Sequence, residues 1–254
     1  MTRHPAGDTD YEPLGRGYSS IRRPDPRIGA RVLAALGDGH SVINVGAGAG
    51  AYEPGDRYVV AVEPSRSMRA QRPGMRAPAI DATAEALPFD DDTFDSAMAL
   101  ATVHQWRDPD RGLRELRRVS RGRVVVLTFD HLAMQRFWLA EYAPDLITAE
   151  RRRLPDLDHM AAVLGGRVEV STVEIPADCT DGFVEAFYGR PEQLLDPAVR
   201  AAQSGWGFIG PQATARAVRS LRRGLEDGSW DRRHGHLRHR PAFAGSLRLL
   251  VAHG

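Results

Sequence analysis

Lysine is missing altogether: each of the 34 basic residues in this chain of 254 is an arginine. The absence removes Schiff-base chemistry, and with it pyridoxal-phosphate and lysine-aldolase mechanisms. It also removes the phosphate-pairing lysine of P-loop and kinase sites. Arginine stays protonated and presents a rigid fork of donors, so these side chains suit ion pairs and anion clamps, not proton transfer. Cysteine is nearly absent as well. Cys179 stands alone, which excludes an intramolecular disulfide and fits a reducing, cytoplasmic setting. No stretch approaches the ~18 consecutive apolar residues of a membrane span, and the first residues lack an apolar signal segment. An excess of one charge is lacking too, since 34 basic residues meet 33 acidic ones for a net charge of +1. The two signs interleave, as in Arg151-Arg152-Arg153 before Asp156 and Asp158. A nucleic-acid binder gathers its positive charge into one patch, and no such block is seen.

What is present reads as an ordinary soluble enzyme. Apolar residues at 42% and charged residues at 26% are those of a globular chain,. Residues 1–36 read as an N-terminal lid segment, its first ten residues mobile and its end helical through Ile28, Val32, Leu33 and Leu36 up to Gly37. Residues 37–130 alternate short apolar runs with helical stretches. The runs are Ser41–Val45, Tyr58–Val62, Ser96–Ala101 and Arg123–Thr128. Continuous apolar strands between helices mean a parallel sheet covered on both faces, a doubly wound α/β core. Pro54 and Gly55 leave little room for a helix between the first two strands. Residues 131–254 carry the rest of the core, a crossover helix over 158–164, a strand over 168–175 and a final strand over 246–252. Two inserts, about 131–157 and 177–243, read as a helical cap rich in aromatic side chains.

The chemistry gathers in the first strands. In Val42-Ile43-Asn44-Val45-Gly46-Ala47-Gly48-Ala49-Gly50, glycines remove Cβ atoms where the backbone turns tightly beside a ligand. The spacing is G-x-G-x-G, whereas a dinucleotide fingerprint reads G-x-G-x-x-G. A plain strand-to-helix turn is the competing reading. Glu63, at the end of the second strand, can accept both hydroxyls of a ribose; a surface glutamate is its bland alternative. Asp81 in a loop can accept from an exocyclic amine, with the next backbone N–H free to meet a purine ring nitrogen.

Taken together, Val-Gly-Ala-Gly-Ala-Gly, Val62-Glu63-Pro64-Ser65, Asp81-Ala82-Thr83-Ala84-Glu85-Ala86-Leu87-Pro88-Phe89 and Phe94-Asp95 resemble the signature segments of class I S-adenosylmethionine-dependent methyltransferases. The nearest branch is the small-molecule group related to ubiquinone and menaquinone C-methyltransferases. Glu115-Leu116-Arg117-Arg118-Val119 is similar to the helix before the fifth strand of that branch. The resemblance covers about residues 40–130. It implies a seven-stranded, mostly parallel, Rossmann-like sheet and S-adenosyl-L-methionine as cofactor. It also implies that Gly46, Ala47 and Gly48 line the methionine part, that Glu63 and Pro64 meet the ribose and that Met68 lies near the adenine. Asp81 and Ala82 would then read the adenine edge, and Tyr18 would be the lid tyrosine that meets the cofactor carboxylate, beside Arg22 and Arg23. Asn44 stands where the family usually has a carboxylate for the cofactor ammonium; its amide accepts without charge assistance.

A sulfonium donor asks little of the protein beyond orientation. A base is required only where the acceptor must lose a proton. His104, just past the fourth strand, is the first candidate, and His131 the second. Trp106, Trp138, Tyr188 and Trp206 are candidate substrate contacts. No metal is expected: His234, His236 and His239 sit among Arg232, Arg233, Arg238 and Arg240, which repel a cation. Two other activities stay open on this fold, a nicotinamide-dependent oxidoreductase and a protein that binds the nucleotide without transferring a methyl group.

Overall fold

A computed structural model of the chain describes residues 18–254. The first ten residues, read as mobile, and the lid up to residue 17 lie outside the described residues. Seven strands form the central sheet: β1 Ser41–Val45, β2 Tyr58–Val62, β3 Ala79–Ile80, β4 Phe94–Leu100, β5 Ser120–Phe129, β6 Val168–Thr172 and β7 Leu247–Ala252. Their order is β3-β2-β1-β4-β5-β7-β6. All neighbours are parallel except β7, which runs antiparallel to both β5 and β6. The order reverses between β1 and β4, and a doubly wound sheet opens a ligand crevice at the carboxyl ends of its strands at that point.

The near-continuous apolar strands are buried from both sides. One face holds Val42, Met98 and Val125 under helix α1 (Pro26–Leu36), whose Ile28, Val32 and Leu36 point inward. The other face holds Ile43, Ala97, Val124 and Val126 under α2 (Pro109–Val119). α2 buries Leu113, Leu116 and Val119 completely, about 2 kcal/mol of burial for each. Its start is fixed by Asp108, which accepts from the Arg111 N–H at 3.0 Å, and by Pro109 at the first turn,.

Between β1 and β2 the chain makes turns and no helix, as Pro54 and Gly55 predict. Two readings are corrected, and one strand went unread. The strand expected over 168–175 is two pieces: β6 lies on the main sheet, while Ile175–Pro176 pairs with Ala242–Phe243 in a separate ribbon. The two-residue β3 is too short to leave an apolar pattern. The insert 177–243 contains one long helix, Gly210–Glu226, and otherwise short 3₁₀ and α turns held by tertiary contacts,.

Candidate functional site

The crevice at the switch point is a cleft of about 1200 Å³ including its mouth. Its floor is the turn after β1. Gly46 has φ 70°, and a Cβ there would fall 2.2 Å from Thr102 Oγ1. Gly48 has φ 51°, with Met68 Cε 3.3 Å from where its Cβ would stand. Both positions demand the left-handed region, where glycine carries no steric penalty. The Gly46 and Ala47 N–H groups donate to the Val62 carbonyl at 2.9 and 3.0 Å, which ties the turn to the end of β2.

Glu63 forms the next wall. It is 6% exposed, and its two oxygens accept from the Gly48 and Ser65 N–H groups, each at 2.8 Å. Burial pushes its carboxyl above the ordinary value, against the lowering effect of those two bonds,. Pro64 and Met68 line the same side. Asn44 lines the cleft too, and its Nδ2 donates to the buried Glu53 Oε1 at 3.0 Å. Arg72 holds the other Glu53 oxygen at 2.9 Å. The amide is thereby oriented, and its carbonyl oxygen is the end left for a ligand.

The opposite wall comes from the residues after β4 and from distant segments. Ala101 adopts φ 53°, an uncommon conformation for a residue with a side chain. Its N–H donates to the Leu127 carbonyl at 2.7 Å. Trp106 reaches the cleft because Gly112 on α2 makes room for it: a Cβ there would lie 2.4 Å from the indole Cε3. Across from it, Arg22 Nε donates to Asp181 Oδ1, and Tyr52 donates to Asp181 Oδ2 at 2.9 Å. The Arg22 guanidinium lies 5.4 Å from the centre of the Tyr18 ring. Tyr18, Arg22, Tyr52 and Asp181 all line the cleft. Burial works against the charge on Arg22, and the Asp181 carboxylate outweighs it and raises the guanidinium; burial, with Asp181 adding to it, pushes the Tyr52 hydroxyl well above its ordinary range.

A second chamber, about 670 Å³, adjoins this cleft and shares Tyr18, Arg22, Ala101, Gln105, Phe129 and Phe183 with it. Its own walls include His104, Met134, Ile147, Glu150 and Glu185. A nucleotide-sized cleft thus opens onto a largely apolar space roofed by both inserts.

Comparison with known proteins bears on what fills this arrangement. The methyltransferase-domain family model matches residues 43–127. An uncharacterized methyltransferase of Bacillus subtilis, YcgJ, is 31% identical over 132 residues, 48% of this chain and 50% of that protein. The chain therefore spans about half the length of the curated relative it matches. A solved structure assigned as a methyltransferase from an antibiotic biosynthesis pathway of Anabaena variabilis is 30% identical and superimposes with a TM-score of 0.84. That likeness covers 91% of this chain and 98% of the other.

The chain belongs to the class I S-adenosylmethionine-dependent methyltransferases. The plantazolicin methyltransferase BpumL, solved with S-adenosylhomocysteine, shares the fold with a TM-score of 0.55 at 10% identity, over 97% of this chain and 91% of that one. The cleft fits the methyltransferase cofactor on its own chemistry. The glycine cradle leaves space against Met68, Glu63 presents carboxylate oxygens from a buried wall, and Asn44 lines the cleft with its Nδ2 held by Glu53.

The structure places most of the residues predicted from sequence on one surface. Tyr18, Asn44, Gly46, Ala47, Gly48, Glu63, Pro64 and Met68 line the cleft, as does Trp106. His104 lines the second chamber, on the 3₁₀ turn Val103–Gln105. Other expectations are corrected in position. Asp81 is exposed and bonds Arg69 at 2.8 Å, and neither it nor Ala82 forms a wall; Thr83, Ala84 and Glu85 do. His131 lines neither space and lends its carbonyl to Arg151 at 3.1 Å. Trp138 donates to the Tyr188 carbonyl at 2.9 Å and packs edge-on to Trp230, so it belongs to the core. Tyr188 is buried and donates to the Arg240 carbonyl at 2.7 Å. Trp206 is buried and donates to Gln203 at 3.0 Å. Arg23 is exposed and lines neither space. Asp181, Tyr52 and Glu185 escaped the sequence reading: each is a single polar residue in a turn or short 3₁₀ segment, without a motif around it.

Proposed function

We propose that this protein transfers a methyl group from S-adenosylmethionine to a small organic acceptor and releases S-adenosylhomocysteine. One observation carries the reading: the cleft framed by Gly46, Gly48, Asn44 and Glu63 adjoins a second chamber whose walls mix apolar side chains with a few polar and charged ones. When bound, the cofactor supplies the electrophilic methyl group. The chain's own residues bind and orient. Gly46–Gly48 hold the backbone turned toward the methionine part, Glu63 receives the ribose hydroxyls, and the Asn44 carbonyl receives the ammonium. Tyr18 and Arg22 stand between the two spaces, and the inserts 131–157 and 177–243 act as the cap that keeps water from the transfer. His104, on the chamber wall, is the group placed to take a proton where an acceptor must lose one. The acceptor is a small molecule, neither nucleic acid nor membrane, and the setting is cytoplasmic; the protein works as a monomer or homodimer. No helix among the described residues is long and apolar enough to cross a membrane.

A calorimetric titration tests the reading. S-adenosylmethionine and S-adenosylhomocysteine should bind while NAD(H) gives no heat. Mass spectrometry should then detect S-adenosylhomocysteine formed in the presence of an acceptor. Binding of NAD(H) in their place would return the chain to an oxidoreductase reading.

A further inference from the structure

Glu185 lies in the second chamber and has half of its carboxyl unused. The side chain is 1% exposed. Its Oε2 accepts twice from Ser246, from the N–H at 2.8 Å and from the hydroxyl at 2.6 Å. Its Oε1 is buried without a partner among the described residues. A buried carboxyl lacking a cation is costly, and burial pushes this one above its ordinary range. Protein cations nearby are engaged elsewhere. Arg248 bonds Asp130 at 3.0 Å and the Gly245 carbonyl at 2.8 Å. Arg22 is committed to Asp181, and Arg153 to Glu150 at 3.1 Å.

The rest of the chamber suits an apolar body with a positive end. Phe129 and Phe183 stand 5.6 Å apart, centre to centre, and aromatic faces attract cations. Met134 and Ile147 complete the apolar wall. Among the described residues, the one guanidinium on the wall is that of Arg22, already paired with Asp181.

We infer that the second chamber takes an apolar molecule bearing a basic amine, whose ammonium pairs with Glu185 Oε1. This deepens the proposed function and rests on the adjoining cleft being the methyl-donor site. Glu185 acts as a specificity-determining anchor, and the ion pair supplies the counter-charge that the fold itself withholds.

The test uses the full chain saturated with S-adenosylhomocysteine, titrated with 2-phenylethylamine, 2-phenylethanol and 3-phenylpropanoate. The amine should bind about ten-fold tighter than the alcohol, the worth of a charge-assisted hydrogen bond, and the carboxylate weakest of the three. Glu185→Gln keeps an acceptor for Ser246; it should erase the preference for the amine and leave S-adenosylhomocysteine affinity within about two-fold. Equal binding of the three probes, tighter binding of the carboxylate, or an amine preference that survives in Glu185→Gln overturns the proposal. The wild-type comparison stands even if the variant fails to fold. If S-adenosylhomocysteine itself does not bind, the cofactor reading fails, and the same three probes titrated into the free protein judge the chamber separately.

Discussion

The two halves of the site are built in different ways. On the donor side, the walls come from the turn after β1, the end of β2 and the segment after β4, each a short contiguous stretch. Their work is done mostly by backbone: glycine φ values, N–H groups aimed at Glu63, and a turn tied to Val62. On the acceptor side, Met134, Ile147 and Glu150, and Glu185 come from three separate stretches of two inserts. There the work is done by side chains, and the backbone is a string of short turns. A backbone cradle depends on a few residues that admit one solution, whereas a side-chain chamber can be relined one residue at a time.

The largest expected effect strikes the backbone side. Gly46→Ala would force a Cβ to 2.2 Å from Thr102 Oγ1 at a φ of 70°. Overpacking and left-handed strain together cost about 3 kcal/mol or more. Both the melting temperature and S-adenosylhomocysteine binding should fall sharply; a variant that melts and binds like the parent would break the idea of a rigid cradle.

Next, Glu63→Ala and His104→Ala should separate the two halves. Losing charge-assisted bonds to a ribose should weaken S-adenosylhomocysteine binding roughly 10- to 100-fold. Replacing His104 should lower turnover while cofactor affinity stays within about two-fold, since it stands on the acceptor side. Equal, small effects from both would dissolve the comparison.

A scaffold contact shared by both halves comes third. Asp25 caps α1, bonds Arg27 at 2.7 Å and accepts from the Thr180 N–H at 3.2 Å. The Arg27 guanidinium lowers its carboxyl to about 2, against the opposing effect of burial. A lowered carboxyl stabilises the fold above its unfolded value of about 3.9 and loses that contribution as the pH falls towards 2,. Asp25→Asn should therefore cost about 2 kcal/mol near neutrality and little near pH 2. Denaturant melts at the two pH values measure it.

The smallest effect should come from Asp81→Ala. Its pair with Arg69 is exposed, and such pairs contribute about 1 kcal/mol at most. S-adenosylhomocysteine affinity should change less than about five-fold. A larger loss would show that the adenine amine takes Arg69's place on this carboxylate, which is the role the sequence motif predicts for it.

The contrast also marks where the sequence was legible. Apolar β-branched runs, glycine spacing and a glutamate at a strand end are local, and each announced itself: the four central strands, α1, α2 and the Gly46–Glu63 wall were all readable. Trp138, Tyr188 and Trp206 misled because an aromatic residue in a cap is equally at home in a core. Whether it meets a ligand or Trp230 depends on partners far along the chain. Asp181 was silent for the same reason, since its importance comes from Arg22 and Tyr52, which lie 159 and 129 residues away.

By itself, then, the sequence determined the chemistry class. It carries no lysine, a single cysteine, and a glycine cradle followed by an acidic residue. Such a chain works with a reactive group that arrives on a cofactor. Tertiary structure alone decided what meets that group. It folded two inserts over the sheet, paired away the neighbouring arginines and left Glu185 buried with one oxygen unclaimed. Local propensity fixes a turn within a few residues. The electrostatic state of a carboxyl is set by every charge packed around it, and only the folded chain brings those charges together.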